Sequence, residues 1–206
     1  MSVPSTHPRL ILASSSTYRA ELLSRLQLSF ETISPEINES ALPNEAPEAT
    51  ALRLAQEKAA VVAAQFDDVL VIGSDQVATL DGLQIGKPGN HENALQQLQM
   101  MRGRRVVFHT ALCLFDGRKN VDAAKSKSQS QNIQTIVTFR NLPDHELDAY
   151  LRIEQPYDCA GSAKNEGLGI AIIEKIESED PSALTGLPLI ALTTMLRNAR
   201  IPFFQG

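Results

Sequence analysis

The stretch "VLVIGSDQVATLDGLQIGKP", Val69 to Pro88, constrains the fold more than any other part of the chain. It opens on a continuous apolar run, the mark of a strand covered on both faces. An acid, Asp75, stands where that run stops. Asp81-Gly82 is a two-residue hairpin signal, and the returning run ends in "GKP" with Lys87. The chain must therefore build a sheet with buried faces and still place a carboxylate at its rim. Carboxylates are depleted from such positions unless they are paired or bind a metal, although a turn-capping Asp is the other reading.

The flanking segments supply the rest of such a sheet. "RLILAS" (9–14) reads as a short buried strand, and "STYRAELLSRLQL" (16–28) as a helix with serine available as its N-cap. "SFETISPEI" (29–37) reads as a strand closed by Pro35. The helix over 47–66 starts at Pro47 and aligns Leu52, Ala55, Ala59 and Val62 on one face. A helix over 90–103, strands over 104–117 and 132–142, and a helix over 143–154 follow. The chain closes with a strand over 167–178 and a helix over 186–200, while 119–131 reads as a polar excursion between paired strands. Strands and helices alternate early, and longer paired strands come later. That order predicts an α/β fold with a mixed twisted sheet flanked by helices, elongated and two-lobed around a central cleft. No internal repeat or linker divides the chain, so 1–206 is expected to be one domain.

Composition narrows the partners. A net charge of −5 lacks the basic excess of a duplex-binding surface, which disfavours a nucleic acid polymer. Two distant cysteines, Cys113 and Cys159, argue against a disulfide framework or zinc site and fit a reducing compartment. With no signal-peptide pattern and no apolar run near membrane-spanning length, the expectation is a cytoplasmic protein with no membrane partner.

Four segments place polar groups at the ends of apolar elements. "ASSSTYR" puts Ser14, Ser16 and Arg19 at a strand-to-helix turn, where backbone N–H groups can cradle a phosphate; a simple N-cap with a surface arginine explains it too. Lys58, on the helix over 47–66, reads from its residues alone as a surface lysine with a buried stem. The hairpin contributes Asp75 and Lys87. "DCAGSAKNEGLG" (158–169) is either an anion-binding glycine loop carrying Lys164 and Glu166 or merely a turn. Together they describe a cleft lined by Arg19, Lys58, Lys87 and Lys164 facing Asp75 and Glu39. Cations opposite carboxylates suit a phosphoester with a divalent metal.

"LILASSSTYRAELL", "APEATALRLAQEKA", "VIGSDQV", "GKP", "CAGSAKNEGLGI" and "GLPLIAL" occur in an order that resembles the Maf family of nucleoside triphosphate pyrophosphatases over almost the whole chain. The resemblance implies a fold of the inosine triphosphatase type and a homodimer. It also implies hydrolysis between the α and β phosphates with a divalent cation, Mg²⁺ or Mn²⁺. The family's catalytic acid falls on Asp75, as metal ligand or general base. Its phosphate-side positions fall on Arg19, Lys58 and Lys87, and its first loop on Ser14 and Ser16. Where many members pair two acids, this chain has Asn38 and Glu39, so metal binding is expected at Glu39 and Asp75.

Tyr18, Gln76 and Glu166 resemble the branch of the family specific for 7-methyl-GTP rather than the branch acting on dTTP and UTP. A 7-methylguanine ring is cationic, so stacking on Tyr18 adds a cation–π contribution of about 0.5–2 kcal/mol. Glu166 can accept hydrogen bonds from the guanine edge. The alternatives are a broader nucleoside triphosphate pyrophosphatase and, in another class, a nucleotide-binding regulator of cell division.

Overall fold

The computed structural model describes residues 8–119 and 127–204. Its centre is a mixed sheet of seven strands: β1 (Arg9–Ala13), β2 (Glu31–Ile33), β3 (Val69–Leu80), β4 (Leu83–Ile85), β5 (Arg105–Asp116), β6 (Ser128–Phe139) and β7 (Ile173–Ser178). The order is β2-β1-β3-β5-β6-β7, with β4 pairing the far half of β3. β1 runs parallel to β2 and β3, and the remaining pairs are antiparallel. Among the described residues five α-helices pack on this sheet: α1 (Thr17–Ser24), α2 (Pro47–Ala63), α3 (His91–Met101), α4 (Asp144–Glu154) and α5 (Leu189–Asn198). None among the described residues is long and apolar enough to cross a membrane.

The pleat of β3 explains how one strand serves three apolar clusters. Leu70 and Ile72 on one face join Leu112 and Leu114 of β5 beneath α1 and α5. Further along that face, Ala78 and Leu80 join Val106 and Phe108 beneath α3 and α4. Between the two lie Ser74 and Gln76 of β3 and Thr110 of β5, a polar interruption in an otherwise apolar face. The opposite face, with Val69, Val71 and Val77, packs on Ala51, Ala55, Ala59 and Val62 of α2.

The edge of β3 is interrupted at the same place. β1 pairs with it only as far as Gly73, and β4 begins at Ala78. Ser74 to Val77 therefore have a strand partner, β5, on one side only. That gap places a stretch of strand backbone and the alternating Asp75 and Gln76 side chains at an opening in the sheet. Crevices beyond the carboxyl ends of parallel strands are the usual ligand sites of open α/β sheets, and β1 ends at this one.

Several expectations change. Asp75 is not at the end of its strand but at the seventh of twelve positions in β3, because the strand continues past the polar interruption. Lys58 is not a surface residue; it is 5% exposed and sits on the sheet-facing side of α2. The segment 167–178 is a strand only from Ile173, preceded by a short 3₁₀ turn over Leu168–Ile172. Of the excursion at 119–131, residues 120–126 lie outside the described residues, and Ser128–Gln131 already belong to β6.

α2 approaches β3 closely at Gly73. A Cβ there would lie 2.1 Å from the Ala55 carbonyl oxygen and 2.8 Å from the Ala59 nitrogen, so only glycine fits. Gly73→Ala is expected to destabilise the protein by roughly 1–3 kcal/mol through overpacking. Urea unfolding should show a lower midpoint with an unchanged slope; an unchanged midpoint would contradict this close approach.

Candidate active site

A cavity of about 620 Å³ opens at the gap in the sheet. Its walls come from the β1–α1 turn, the chain after β2, α2, β3, the chain after β4, and the loops at 158–166 and 184–186. Such a volume holds a nucleotide-sized ligand.

The β1–α1 turn forms one wall. Ser16 is the N-cap of α1, and its hydroxyl oxygen accepts from the Arg19 backbone N–H at 3.3 Å. The buried Ser14 hydroxyl oxygen accepts from the Ser16 N–H at 3.1 Å and from Arg19 Nη1 at 3.3 Å. Arg19 Nε donates to the Gly186 carbonyl at 2.9 Å. Gly186 has φ +110°, and a Cβ there would lie 3.4 Å from Arg19 Nε. The guanidinium is thus fixed at two of its nitrogens. Burial lowers the Arg19 pKa, and the charges of Asp75 and Glu39 pull it back up.

The floor is an ion-pair cluster. Lys58 Nζ lies 2.7 Å from Asp75 Oδ1 and 2.6 Å from Glu39 Oε1. Asp75 is 8% exposed, while Glu39 reaches in from the more exposed chain after β2. Burial pushes the Glu39 carboxyl up, but the Lys58 hydrogen bond and the charges of Lys58, Lys87 and Arg19 outweigh it, so its pKa falls. Lys87 lies on the cavity wall just beyond β4.

Tyr18 and Glu166 line the cavity together with Asp158, Cys159 and Asn165. Burial raises the Tyr18 pKa, helped by Cys159 and Asp158. Burial also raises the Glu166 pKa, against the opposing pull of its own backbone N–H and of Lys164. Cys159 is pushed up to about 12, chiefly by burial, so it is a thiol at neutral pH and a poor nucleophile.

Two of the residues picked from sequence stand differently from their expected roles. Lys164 is not among the cavity-lining residues: its Nζ pairs with Glu154 Oε1 at 3.3 Å and lies 5.5 Å over the Tyr18 ring. It braces the aromatic residue rather than facing the cation cluster. Gln76 lines the cavity, but its amide N–H groups are directed at Thr110 Oγ1, Ala183 O and Leu184 O at 2.9, 3.1 and 3.0 Å. It secures a wall of the site, so its donors do not point at a base.

One further acid shapes the site with no local motif to mark it. Asp180 is 2% exposed. Its Oδ1 accepts from the Ser182 N–H and hydroxyl at 3.1 and 2.7 Å. Its Oδ2 accepts from the Ile190 and Ala191 N–H groups at 2.7 and 3.2 Å. It caps α5 from eight residues before Pro188 and folds the intervening loop. That loop presents Gly186 O to Arg19 and Ala183 O to Gln76 and Thr110. The signal was an acid followed by Pro and, shortly after, an apolar helix, a spacing too long for an ordinary cap.

Among the described residues no three or more His, Cys, Asp or Glu side chains gather as a metal cage. Asp75 and Glu39 are nonetheless hard oxygen donors meeting at one point. Mg²⁺ and similar ions commonly take one or two carboxylates and complete their shell with water and substrate phosphates, and the pair fits that pattern.

Known structures agree on the fold. The Staphylococcus aureus Ham1 protein matches 93% of this chain and 99% of its own at a TM-score of 0.51 and 13% identity. A HAM1 protein from Coxiella burnetii matches 93% and 100%, also at 0.51, with 16% identity. Closer in sequence is a protein of Ralstonia nicotianae called 7-methyl-GTP pyrophosphatase, 62% identical over 197 residues, 96% of this chain and 98% of that one. A Cupriavidus pinatubonensis protein of the same name is 60% identical over 199 residues, 97% of each. The sequence profile of the Maf-like proteins matches residues 9–199. With that profile spanning the sheet and every wall of the cavity, this chain belongs to the Maf family.

Proposed function

We propose that the chain hydrolyses 7-methyl-GTP to 7-methyl-GMP and pyrophosphate. The observation that carries the reading is one cavity holding two unlike groups of side chains, Arg19, Lys58, Lys87, Asp75 and Glu39 as a charged cluster and Tyr18 with Glu166 as an aromatic–acid pair. The names of relatives about 60% identical over nearly the full chain support the same substrate. A cytoplasmic location accompanies the proposal, supported by two free cysteines, one buried and one in the cleft.

In this reading Arg19 and Lys87 hold phosphate oxygens, with the Ser14–Ser16 turn fixing the guanidinium. Tyr18 stacks on the base, and Glu166 offsets the positive charge of a methylated ring. Asp75 accepts a proton from a water molecule whose own oxygen bonds to the α-phosphorus. The bond from that phosphorus to the bridging oxygen breaks, and pyrophosphate leaves with the electron pair. A Mg²⁺ or Mn²⁺ ion held by Glu39 and Asp75 would supply charge neutralisation at the phosphate oxygens.

Asp75→Asn keeps the side-chain volume and removes the charge, so pyrophosphate release should fall by roughly 10²- to 10⁴-fold. Its melting temperature checks that the fold survives. Near-wild-type turnover would remove Asp75 from the reaction.

Glu166→Gln should lower the ratio of kcat/KM for 7-methyl-GTP over GTP by about 10-fold while changing GTP turnover little. An unchanged ratio would put recognition of the base elsewhere. The same carboxylate gives a pH signature. Its pKa is raised by burial, so it protonates as pH falls while an ordinary glutamate would still be ionised. Preference for the methylated base should therefore decline on acidification in the wild type and stay flat in Glu166→Gln.

A further inference from the structure

Lys58 does more in the free protein than await a phosphate. α2 is held against β3 by the Gly73 contact, and Lys58 points into the floor of the cavity at 5% exposure. Its ammonium lies within 2.7 Å of both carboxylates that would hold a metal, 2.6 Å from Glu39 and 2.7 Å from Asp75. An ion bonded to both oxygens would need the space and the charge balance that this ammonium already supplies. The surroundings do not compensate, because the charges of Arg19 and Lys87 also act on Glu39. A divalent cation arriving at Glu39 and Asp75 alone meets Arg19, Lys58 and Lys87 around two carboxylates, and among the described residues no three or more His, Cys, Asp or Glu side chains gather to complete a cage.

We infer that Lys58 is a resident counter-ion that keeps divalent metal off the free protein, so that metal loads only together with the nucleotide. The inference rests on the reading of Asp75 and Glu39 as the metal's protein ligands. A triphosphate changes the balance in two ways. Its negative charges neutralise Arg19 and Lys87 and give the Lys58 ammonium an alternative partner. Its oxygens also supply ligands that two carboxylates cannot. The site then switches from one in which Lys58 bridges the acids to one in which metal does.

The test is binding of MnCl₂ to the full chain, read from loss of the free Mn²⁺ paramagnetic resonance signal, with no turnover involved. Wild type without nucleotide should leave Mn²⁺ free at concentrations where Lys58→Met, with a similar length and no charge, binds it at least about tenfold more tightly. Adding Glu39→Gln to Lys58→Met should remove that gain. With a non-hydrolysable α,β-methylene analogue of 7-methyl-GTP, wild type should take up Mn²⁺ beyond the amount bound by the analogue alone.

Equal Mn²⁺ affinity of wild type and Lys58→Met without nucleotide would overturn the inference and leave the metal ligands standing. No Mn²⁺ uptake by either protein, even with the analogue, would overturn the ligand reading and the inference with it. Melting temperature of the wild type offers a check free of any folding defect in the variant. Mn²⁺ alone should not raise it, and Mn²⁺ with the analogue should raise it above the analogue alone; a rise with Mn²⁺ alone would overturn the inference.

Discussion

The absence of a side chain at Gly73 sets the geometry of the site. It lets the backbone of α2 lie directly on β3, with the Ala55 carbonyl where a Cβ would otherwise stand. At that separation the chain from Lys58 Cα to its ammonium spans the distance to Asp75, two residues further along the strand. Move the helix outward and the buried carboxylate loses its cation, which is a costly state for a charge in a protein interior. This packing contact therefore fixes the electrostatics of the cleft. The small residues Ala51, Ala55 and Ala59 along the same face of α2 serve that close approach.

The sheet opens where its own apolar pattern breaks. Ser74, Gln76 and Thr110 interrupt one face of β3 and β5, and the ends of β1 and β4 leave the adjoining edge uncovered. The loop stapled by Asp180 covers the polar face with carbonyl groups that receive donors: Arg19 for Gly186, Thr110 and Gln76 for Ala183, Gln76 for Leu184. Buried polar groups that are fully hydrogen-bonded can hold one arrangement firmly, whereas a half-satisfied network would not. Arg19 is thereby held by the far end of the chain as well as by its own turn. Its position depends on a residue more than 160 positions away in sequence.

The hairpin, the long β5 strand, the helix over Pro47 and the serine cap of α1 were legible in the sequence, because each carries its own local signal of apolar period, turn pair or cap. Asp75 was legible as an unusual acid but misplaced, since a polar interruption within a strand looks like the strand's end when only the apolar run is followed. Lys58 was misread from its residues because period alone cannot tell which edge of an alanine-rich face meets a glycine on another element. Lys164 was grouped with the other cations on charge, yet it pairs with Glu154, on a helix that ends ten residues earlier, and sits over the Tyr18 ring. Asp180 was invisible for a similar reason, as its partners are amides of a helix that begins nine residues later. What failed for Lys58, Lys164 and Asp180 was pairing between separate elements, which one sequence does not record.

In the proposed reaction a single cleft recognises a cationic base and the triphosphate is cut between its α and β phosphates. The most direct measurement is the initial rate of pyrophosphate and orthophosphate release by the wild type from 7-methyl-GTP, GTP, dTTP and UTP under one set of conditions. Pyrophosphate as the product and a clear preference for 7-methyl-GTP are the expected result. Orthophosphate as the product, or faster turnover of dTTP and UTP, would contradict it.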